Sequence, residues 1–260
     1  GDPADRKSYQ IAVLREDAGR GGSKLMHRIF TQGRRVFVSK PINHFGLHDD
    51  ASHTVLMGGG IGVTPMVAMA HELHAKGHSF DLHYSVSRRA DAAFTEILAA
   101  QPWANRVRMH VSDEGSRADL AAVTSYVSGA HIYTCGAEPY MTAVLDAAAI
   151  NGFPEDARHL EYFAVPDAPD YINHPFTLRL KDGRKIAVAA DEVASDALLR
   201  AGVHVDVKCA DGLCGVCKCG VTAGKIEHRD YVLSKAQKAD QMILCQSRAA
   251  DPDGELVIDL

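Results

Sequence analysis

The spacing of hydrophobic and polar positions changes along the chain and divides it into regions. Residues 8–16 and 34–40 alternate apolar and polar side chains, which predicts two β-strands flanking the glycine-rich sequence GRGGS (19–23). From residue 50 to residue 165, apolar runs of strand length alternate with segments whose apolar residues recur at the helical period. Strands that alternate with helices indicate parallel pairing, so this region is predicted to be an α/β domain.

A different pattern follows the α/β region. Residues 166–175 contain three prolines and no periodicity, which is typical of a linker, and 176–260 is predicted to be an α+β module. It begins with a β-hairpin and continues with a short helix that Ser195 would N-cap. The predicted strands are 52–57, 80–87, 106–112, 131–136, 158–164, 176–180, 185–190 and 255–260, and the predicted helices are 65–77, 92–100, 118–127, 138–150 and 195–202.

Composition limits the function classes. Hydrophobic residues make up 46% of the chain and charged residues 23%, which is typical of a soluble globular protein. The net charge of −5 and the lack of a basic run predict no binding to nucleic acid. No apolar run approaches the roughly 20 residues needed to span a bilayer. The polar N-terminus predicts no signal peptide, and because it begins with Gly1, the natural start is expected to lie upstream.

Cysteines are concentrated near the C-terminus. Cys209, Cys214 and Cys217 follow the C-x4-C-x2-C spacing, and Cys245 comes after 27 further residues, which is the plant-type ferredoxin pattern. A zinc site and a disulfide are the alternatives, but zinc sites usually pair two C-x2-C hairpins and disulfides do not suit a reducing cytoplasm. The spacing favours a 2Fe–2S cluster on these four thiolates in a cytoplasmic protein. Cys219 is predicted to be outside the ligand set.

Two further motifs join a strand to a helix. In MGGGIGVTPM (57–66), glycines would let a diphosphate approach the backbone, with Thr64 as the helix N-cap and Pro65 in its first turn. A tight turn without a ligand is the alternative. In CGAEPYM (135–141), Cys135 would lie at the carboxyl edge of the sheet, where open α/β folds bind ligands, unless it is an inert buried cysteine. GRGGS has the same character, with Ser23 capping a short helix, and a plain loop is its alternative.

Taken in order, GRGGS, PINHF (41–45), GGGIGVTPM, CGAEPYM, LEYFA and the cysteine loop resemble the ferredoxin reductase superfamily, most closely the phthalate dioxygenase reductase family that serves Rieske oxygenases. The resemblance covers nearly the whole chain. It implies a multi-domain fold class, with residues 1–49 as the C-terminal part of a flavin-binding β-barrel, 50–165 as an NAD(P)H-binding α/β domain with a parallel sheet, and 176–260 as a C-terminal α+β (β-grasp) 2Fe–2S ferredoxin domain.

The resemblance also implies roles for individual residues. Cys135, Glu161 and Phe163 are the candidate catalytic residues, Cys135 with Gly136 beside the nicotinamide ring and Glu161 with Phe163 beside the flavin ring. The end of the second α/β strand, at Ser87 and Arg88, would contact the nucleotide ribose. Gly21, Gly22 and Ser23 would bind the flavin phosphate, and the dinucleotide loop would consist of Gly59, Gly60, Gly62, Thr64 and Pro65.

Two departures from the family pattern affect these expectations. The Arg-x-Tyr-Ser flavin motif ahead of GRGGS is absent, and residues 1–49 supply too few strands to close a barrel. Missing upstream residues would account for both, and impaired flavin binding is the alternative. Arg88 and Arg89 suit the 2′-phosphate of NADPH, whereas the family default is NADH. NADH remains the expected donor.

The expected function is the reductase component of a Rieske-type oxygenase, passing electrons from NADH through FMN and the 2Fe–2S cluster to a terminal oxygenase. FMN is expected rather than FAD because relatives with a C-terminal ferredoxin use FMN. Two alternatives stay open. One is a non-catalytic iron–sulfur carrier or sensor, and the other is a reductase for another acceptor such as a cytochrome P450.

Overall fold

The computed structural model describes residues 1–166 and 170–260. These form two compact units, Gly1–Glu161 and Tyr162–Leu260. Part of the predicted linker, residues 167–169, lies outside the described residues. The strands are β1 His53–Gly59, β2 Phe80–Val86, β3 Val107–Val111, β4 Ala130–Cys135, β5 Arg158–Glu161, β6 Phe176–Arg179, β7 Lys185–Val188, β8 Lys218–Ala223, β9 Ile226–Glu227, β10 Gln241–Ile243, β11 Arg248–Ala249 and β12 Glu255–Ile258, and the helices are α1 Gly22–Ile29, α2 Val63–Lys76, α3 Thr95–Ala99, α4 Leu120–Val123, α5 Glu138–Ile150 and α6 Ala194–Arg200.

The first unit contains a parallel five-stranded sheet in the order β3-β2-β1-β4-β5. The predicted parallel α/β sheet is therefore confirmed. In the central strand β1 five successive residues are buried, as expected for a strand covered on both faces. The chain order reverses between β1 and β4, and the crevice beyond the carboxyl ends of strands at such a reversal is where open α/β sheets bind ligands.

Helix α2 shows why the sequence folds as it does in this unit. Its apolar residues Met66, Val67, Ala70 and Leu73 recur at the helical period and are buried against the sheet. The helix ends at Gly77, which adopts a left-handed conformation with φ +71° and donates its N–H to the carbonyl of His74. Because the buried face of α2 packs on the sheet, the helix holds the preceding loop at the carboxyl end of β1.

Residues 8–16 and 34–40 do not form the predicted strands, so this part of the prediction is wrong. A strand needs a neighbour to accept and donate its backbone hydrogen bonds, and no described segment pairs with either one. Their apolar side chains are exposed instead, including Tyr9, Phe37 and Val38. Within residues 1–49, the described secondary structure consists of helix α1.

Some helix boundaries also differ from the prediction. Helices α3 and α4 have five and four residues, shorter than the predicted 92–100 and 118–127. Helix α6 begins at Ala194 with Val193 as its N-cap, so Ser195 does not cap it and is buried inside the first turn.

The second unit is an α+β fold whose main sheet has the order β10-β8-β12-β6-β7. Strands β6 and β7 form the predicted antiparallel hairpin, and β12 joins β6 in parallel. Helix α6 packs its buried Ala197 and Leu198 against a core that includes Leu178, Met242 and Leu256. The long segment between α6 and β8 carries three of the cysteines at the edge of this core.

Candidate redox site

A glycine loop leads from the end of β1 into α2 and leaves no room for side chains. A Cβ on Gly58 would lie 2.6 Å from the Cα of Val63, and one on Gly59 would lie 2.8 Å from the ring of Tyr140. A Cβ on Gly62 would lie 2.2 Å from the carbonyl oxygen of Cys135. The loop is therefore held directly against the end of β4, at the crevice between β1 and β4.

The helix caps in this loop differ from the prediction. Residues Gly60–Gly62 form a 3-10 turn, and Gly62 is the N-cap of α2. Thr64 is not the N-cap, because it is the second residue of the helix, where its hydroxyl donates to the carbonyl of Ile61 at 3.0 Å. Pro65 lies in the first helical turn as predicted. Gly60 has φ +54° and open space around its Cα, so the outer side of the loop is accessible to a ligand.

Cys135, Gly136 and Glu161 meet at the carboxyl edge of the sheet. Gly58 pairs with Cys135, and Cys135 pairs with Glu161, across three adjacent parallel strands. Gly136 packs against Gly59, where an added Cβ would lie 3.1 Å from the Gly59 Cα. Glycine backbone thus lines the crevice, the Glu161 side chain is partly buried at this edge, and the Cys135 side chain is fully buried in the core of the first unit.

Burial controls the protonation of this thiol and carboxyl group. Burial, followed by the charge of the neighbouring Glu161, raises the pKa of Cys135 to about 12. Burial also raises the pKa of Glu161. The thiol is therefore neutral at physiological pH, and it does not act as a free thiolate nucleophile.

The raised pKa of Glu161 predicts a pH effect on stability. The folded protein binds an extra proton between the unfolded pKa, about 4.5, and the higher folded pKa, so stability falls as pH rises through this window. Glu161→Gln removes the ionisation, and we expect its free energy of unfolding relative to wild type to increase as pH rises above about 4.5. Urea unfolding followed by the fluorescence of Trp103, the only tryptophan and buried in this unit, measures the difference.

Glu96→Gln on the exposed face of α3 is the matched control for this experiment. Its difference from wild type is expected to stay constant over the same pH range. A Glu161→Gln difference that is equally constant would show that the carboxyl group of Glu161 ionises as it does in the unfolded chain.

The structure places the remaining nucleotide and flavin candidates in different surroundings. Ser87 and Arg88 directly follow β2, and the Arg88 guanidinium is bound by Asp91 through two hydrogen bonds of 2.9 and 3.0 Å.

The flavin candidates lie elsewhere in the chain. Gly21, with φ +96°, precedes Gly22 and Ser23 at the start of α1. The Ser23 hydroxyl does not cap that helix, because it accepts the N–H of Glu16 at 3.0 Å. Phe163 belongs to the second unit and is about half exposed.

The cysteine loop of the second unit turns through three left-handed residues, Ala210, Gly212 and Gly215. A Cβ on Gly212 would lie 3.2 Å from the Cα of Asp230, so the loop packs closely against the segment before β10. Gln246, the residue after Cys245, donates its side-chain amide to the carbonyl of Ala210 at 2.7 Å. These contacts bring Cys245 to the loop from a distant part of the sequence.

The four predicted ligand cysteines are arranged as two contacting pairs. Cys209 lies beside Cys214 and Cys217 beside Cys245. Burial acts to raise the pKa of Cys209, but hydrogen bonds from the Cys214 thiol and from several backbone N–H groups, that of Asp211 first, together lower it by more. The Cys245 thiol donates to the Cys217 sulfur, which lowers the pKa of Cys217 and raises that of Cys245. Two pairs of thiols fit two iron atoms, since a 2Fe–2S cluster takes four cysteines.

Cys219 is not a member of either pair. Its side chain is buried in the core of the second unit, its thiol donates to the Gly220 carbonyl at 3.4 Å, and burial raises its pKa. All six cysteines are free, so no disulfide forms. Among the described residues, no helix has the length and apolar character needed to cross a bilayer.

Two residues with a part in these sites were missed by the sequence reasoning. The ring of Tyr140 packs against Gly59 and Gly136. Tyr140 is part of the motif CGAEPYM, but the sequence did not indicate a role for its side chain. Gln246 closes the cysteine loop, and its position directly after Cys245 was the available signal.

Comparison with known proteins agrees with this arrangement. A family model described as a 2Fe-2S iron-sulfur cluster binding domain matches residues 179–250. The chain is 38% identical to vanillate O-demethylase oxidoreductase of Pseudomonas sp. (strain HR199 / DSM 7063), over 99% of this chain and 83% of that protein. It belongs to this family of oxygenase reductases. This confirms the resemblance to the oxygenase reductases. It also confirms the prediction of an electron-transferring oxidoreductase with a 2Fe–2S domain.

Solved structures with a similar fold include a reductase of this kind. The structure of phthalate dioxygenase reductase, which transfers electrons from pyridine nucleotides to [2Fe-2S], matches with a TM-score of 0.62 and 35% identity, over 95% of this chain and 78% of that one. An intact type IV self-sufficient cytochrome P450 monooxygenase matches with a TM-score of 0.87 and 35% identity. This chain is covered completely by that match and spans 34% of the monooxygenase.

Proposed function

We propose that this oxygenase reductase serves a Rieske-type terminal oxygenase, passing electrons from NADH through FMN and a 2Fe–2S cluster to that partner. One observation carries the proposal. The same chain combines a glycine-walled crevice at the strand-order reversal of a parallel sheet with two thiol pairs in a C-terminal ferredoxin-like unit. The crevice suits a dinucleotide and the thiols suit iron, so the chain has a place for both ends of an electron path.

The nucleotide would bind at the carboxyl ends of β1, β2 and β4. The N–H groups at the start of α2 attract a diphosphate, and the glycines let it approach because no side chain stands in the way. Ser87 and Arg88, at the end of β2, lie where the ribose of a dinucleotide binds in such folds. The residues proposed to hold the nucleotide are Gly59, Gly60, Gly62, Thr64, Pro65, Ser87, Arg88 and Gly136.

Cys135, Glu161 and Phe163 are proposed to lie beside the reacting rings. When bound, NADH supplies a hydride, FMN accepts two electrons and releases them singly, and the cluster carries one electron at a time. The neutral Cys135 thiol and the buried Glu161 carboxyl group would position the nicotinamide and exclude water. We propose Gly21, Gly22 and Ser23, at the start of α1, for the flavin phosphate, and FMN rather than FAD on the basis of the C-terminal ferredoxin.

The cluster ligands are proposed to be Cys209, Cys214, Cys217 and Cys245. The donor set is all sulfur, which suits iron in both of its redox states. The four thiols form two pairs held by a loop whose left-handed residues are small. Each pair would take one iron atom.

Cofactor choice gives a second prediction. Arg88 pairs with Asp91 and Arg89 with Glu114, so each carboxylate competes with a 2′-phosphate for the guanidinium group. We therefore expect NADH to be the better donor. Asp91→Asn releases Arg88, and the kcat/KM for NADPH should rise about tenfold, which corresponds to about 1.4 kcal/mol, while that for NADH changes little.

Asp182→Asn is the matched control, because it releases Arg184 from the same kind of ion pair in the second unit. Its kcat/KM for both nucleotides should equal that of wild type. If Asp91→Asn leaves NADPH oxidation unchanged, Arg88 does not lie at the ribose.

A haem-containing acceptor is a second candidate, supported by the TM-score of 0.87 with the self-sufficient P450 monooxygenase. Stopped-flow mixing of the NADH-reduced protein with a Rieske oxygenase or with a P450, both without substrate turnover, separates the two. Our proposal predicts rapid reduction of the Rieske centre and slow reduction of the haem. Rapid reduction of the haem alone would replace the proposed partner while leaving the reductase function intact.

The proposed location is the cytoplasm. Support comes from the six cysteines, all of which are free thiols, since a reducing compartment keeps them available for iron.

A further inference from the structure

Three histidines from separate parts of the first unit meet at one place in the fold. His48, His131 and His159 each offer a ring nitrogen, and these nitrogens all lie within 4.8 Å of one another. His131 and His159 are partly buried and His48 is exposed, so the group lies at the surface and is open on one side. None of these histidines takes part in the nucleotide or iron–sulfur sites described above.

The sheet and one loop hold the three side chains in place. His131 is near the start of β4 and His159 near the start of β5, on the face that also carries Tyr133. The Tyr133 hydroxyl accepts the backbone N–H of His48 at 2.9 Å, and its ring packs edge-on against Phe45 at 5.5 Å. The loop that carries His48 is therefore anchored by its backbone, independently of the imidazole ring.

The ring nitrogens are able to bind a metal ion. His131 Nδ1 and His159 Nε2 are 2.9 Å apart and form a hydrogen bond. Because an imidazolium nitrogen can only donate, this bond requires at least one neutral ring. His48 stacks on both rings, at 4.6 and 4.9 Å between centroids, and half of its side chain is exposed, so it has room to turn a nitrogen toward them.

The hydrogen bond between His131 and His159 does not by itself explain the presence of His48, because a second histidine pair in the same unit forms such a bond without a third histidine. His83 and His110 are diagonal neighbours on β2 and β3, with 3.0 Å between ring nitrogens and nearly parallel rings. No third histidine, cysteine or carboxylate of the described residues completes a ligand group there. Three imidazoles converge only at His48, His131 and His159 within the part of the chain that the structure describes.

We propose that His48, His131 and His159 form a binding site for a divalent transition-metal ion of the zinc class. Imidazole nitrogens suit Zn²⁺, Cu²⁺ and Ni²⁺, whereas Mg²⁺ and Ca²⁺ require oxygen ligands. The carboxylate of Asp50 lies 3.9 Å from His48 Nδ1 and favours a cation there. A water molecule or Asp50 would complete the tetrahedral coordination that Zn²⁺ prefers.

The ion would tie the loop of His48 to the edge of the sheet. His131 precedes Cys135 by four residues, which is about 13 Å along a strand, so the site is at the opposite end of β4 from the nucleotide crevice. Its role is therefore structural and separate from the electron path.

Equilibrium dialysis of the full-length, cluster-loaded protein against Zn²⁺, after treatment with EDTA, tests the proposal. Iron analysis before and after dialysis shows that the cluster is retained. Zinc X-ray absorption then identifies the ligands, since Zn–N distances are about 2.0–2.1 Å and Zn–S distances about 2.3 Å. We expect one zinc ion with nitrogen ligands in wild type.

Substitutions of single histidines test which residues bind the zinc ion. His48→Gln keeps the backbone hydrogen bond to Tyr133, and we expect zinc affinity to fall at least about 10- to 100-fold, the loss found even for outer-shell partners of metal ligands. His131→Gln should weaken binding as strongly, and the control His110→Gln should bind like wild type. No zinc binding by wild type, sulfur-only coordination, or equal binding by His48→Gln and wild type would overturn the proposal.

Discussion

Replacing Cys214 with alanine is expected to remove the iron–sulfur cluster almost completely. Iron should fall from about two atoms per chain to near zero, because a 2Fe–2S cluster needs four thiolates and the partner of Cys209 is gone. Reduction of one-electron protein acceptors by NADH should fall with it. Iron and sulfide analysis and the visible spectrum of the purified protein measure the loss.

Cys219→Ala is the matched control for this substitution. Cys219 is only two residues from Cys217, but its thiol donates to the Gly220 carbonyl and not to a cysteine of either pair. We expect this variant to keep its iron content and its rate of acceptor reduction. A variant at Cys219 that loses iron, or one at Cys214 that keeps it, would contradict the assignment of ligands.

Gly62→Ala is the second substitution with a large expected effect. The added Cβ would lie 2.2 Å from the carbonyl oxygen of Cys135, so the glycine loop or the end of β4 must move. We expect a loss of about 3 kcal/mol or more in the free energy of unfolding of the first unit, at the upper end of overpacking costs. NADH binding should be lost as well, because both walls of the crevice shift. Urea unfolding followed by Trp103 fluorescence and NADH titration measure the two effects.

Gly77→Ala separates this collision from backbone strain. Gly77 is left-handed, with φ +71°, and has open space around its Cα. An alanine there costs about 1–2 kcal/mol through its conformation alone and should leave NADH binding unchanged. A Gly62→Ala variant no less stable than Gly77→Ala would show that the loop does not pack against β4 as described.

The sequence was most informative where a pattern was strong or chemically specific. The strands and helices from His53 to Glu161 were predicted because buried apolar residues repeat regularly along them. The spacing of Cys209, Cys214 and Cys217 indicated iron–sulfur binding, and Cys219 was set apart from them. A local pattern sufficed for these features because each depends on residues that are close together in the chain.

Features that depend on distant neighbours were not predictable in the same way. Residues 34–40 have a strand pattern, but a pattern does not supply the neighbouring strand that Phe37 and Val38 would need. Thr64 and Ser195 are good N-cap residues, yet the helices begin before them, at Val63 and Ala194, because packing of the preceding loops decides where each helix starts.

The cluster of three histidines is the clearest example of a site that the sequence does not reveal. His48, His131 and His159 come from a loop and two strands, and no spacing in the sequence relates them. His71 and His74 are only three residues apart and both lie on α2, but no third ligand among the described residues joins them. Only the pairing of β4 with β5 brings the other three together.

An anaerobic titration of the full-length protein with NADH, followed by visible absorption, shows whether electrons pass from the nucleotide to the cluster. We expect the flavin and iron–sulfur bands to bleach together as NADH is added, and NADPH to be much less effective. A spectrum that shows the cluster alone and does not change with either nucleotide would contradict the claim that electrons pass from nucleotide to cluster within this chain.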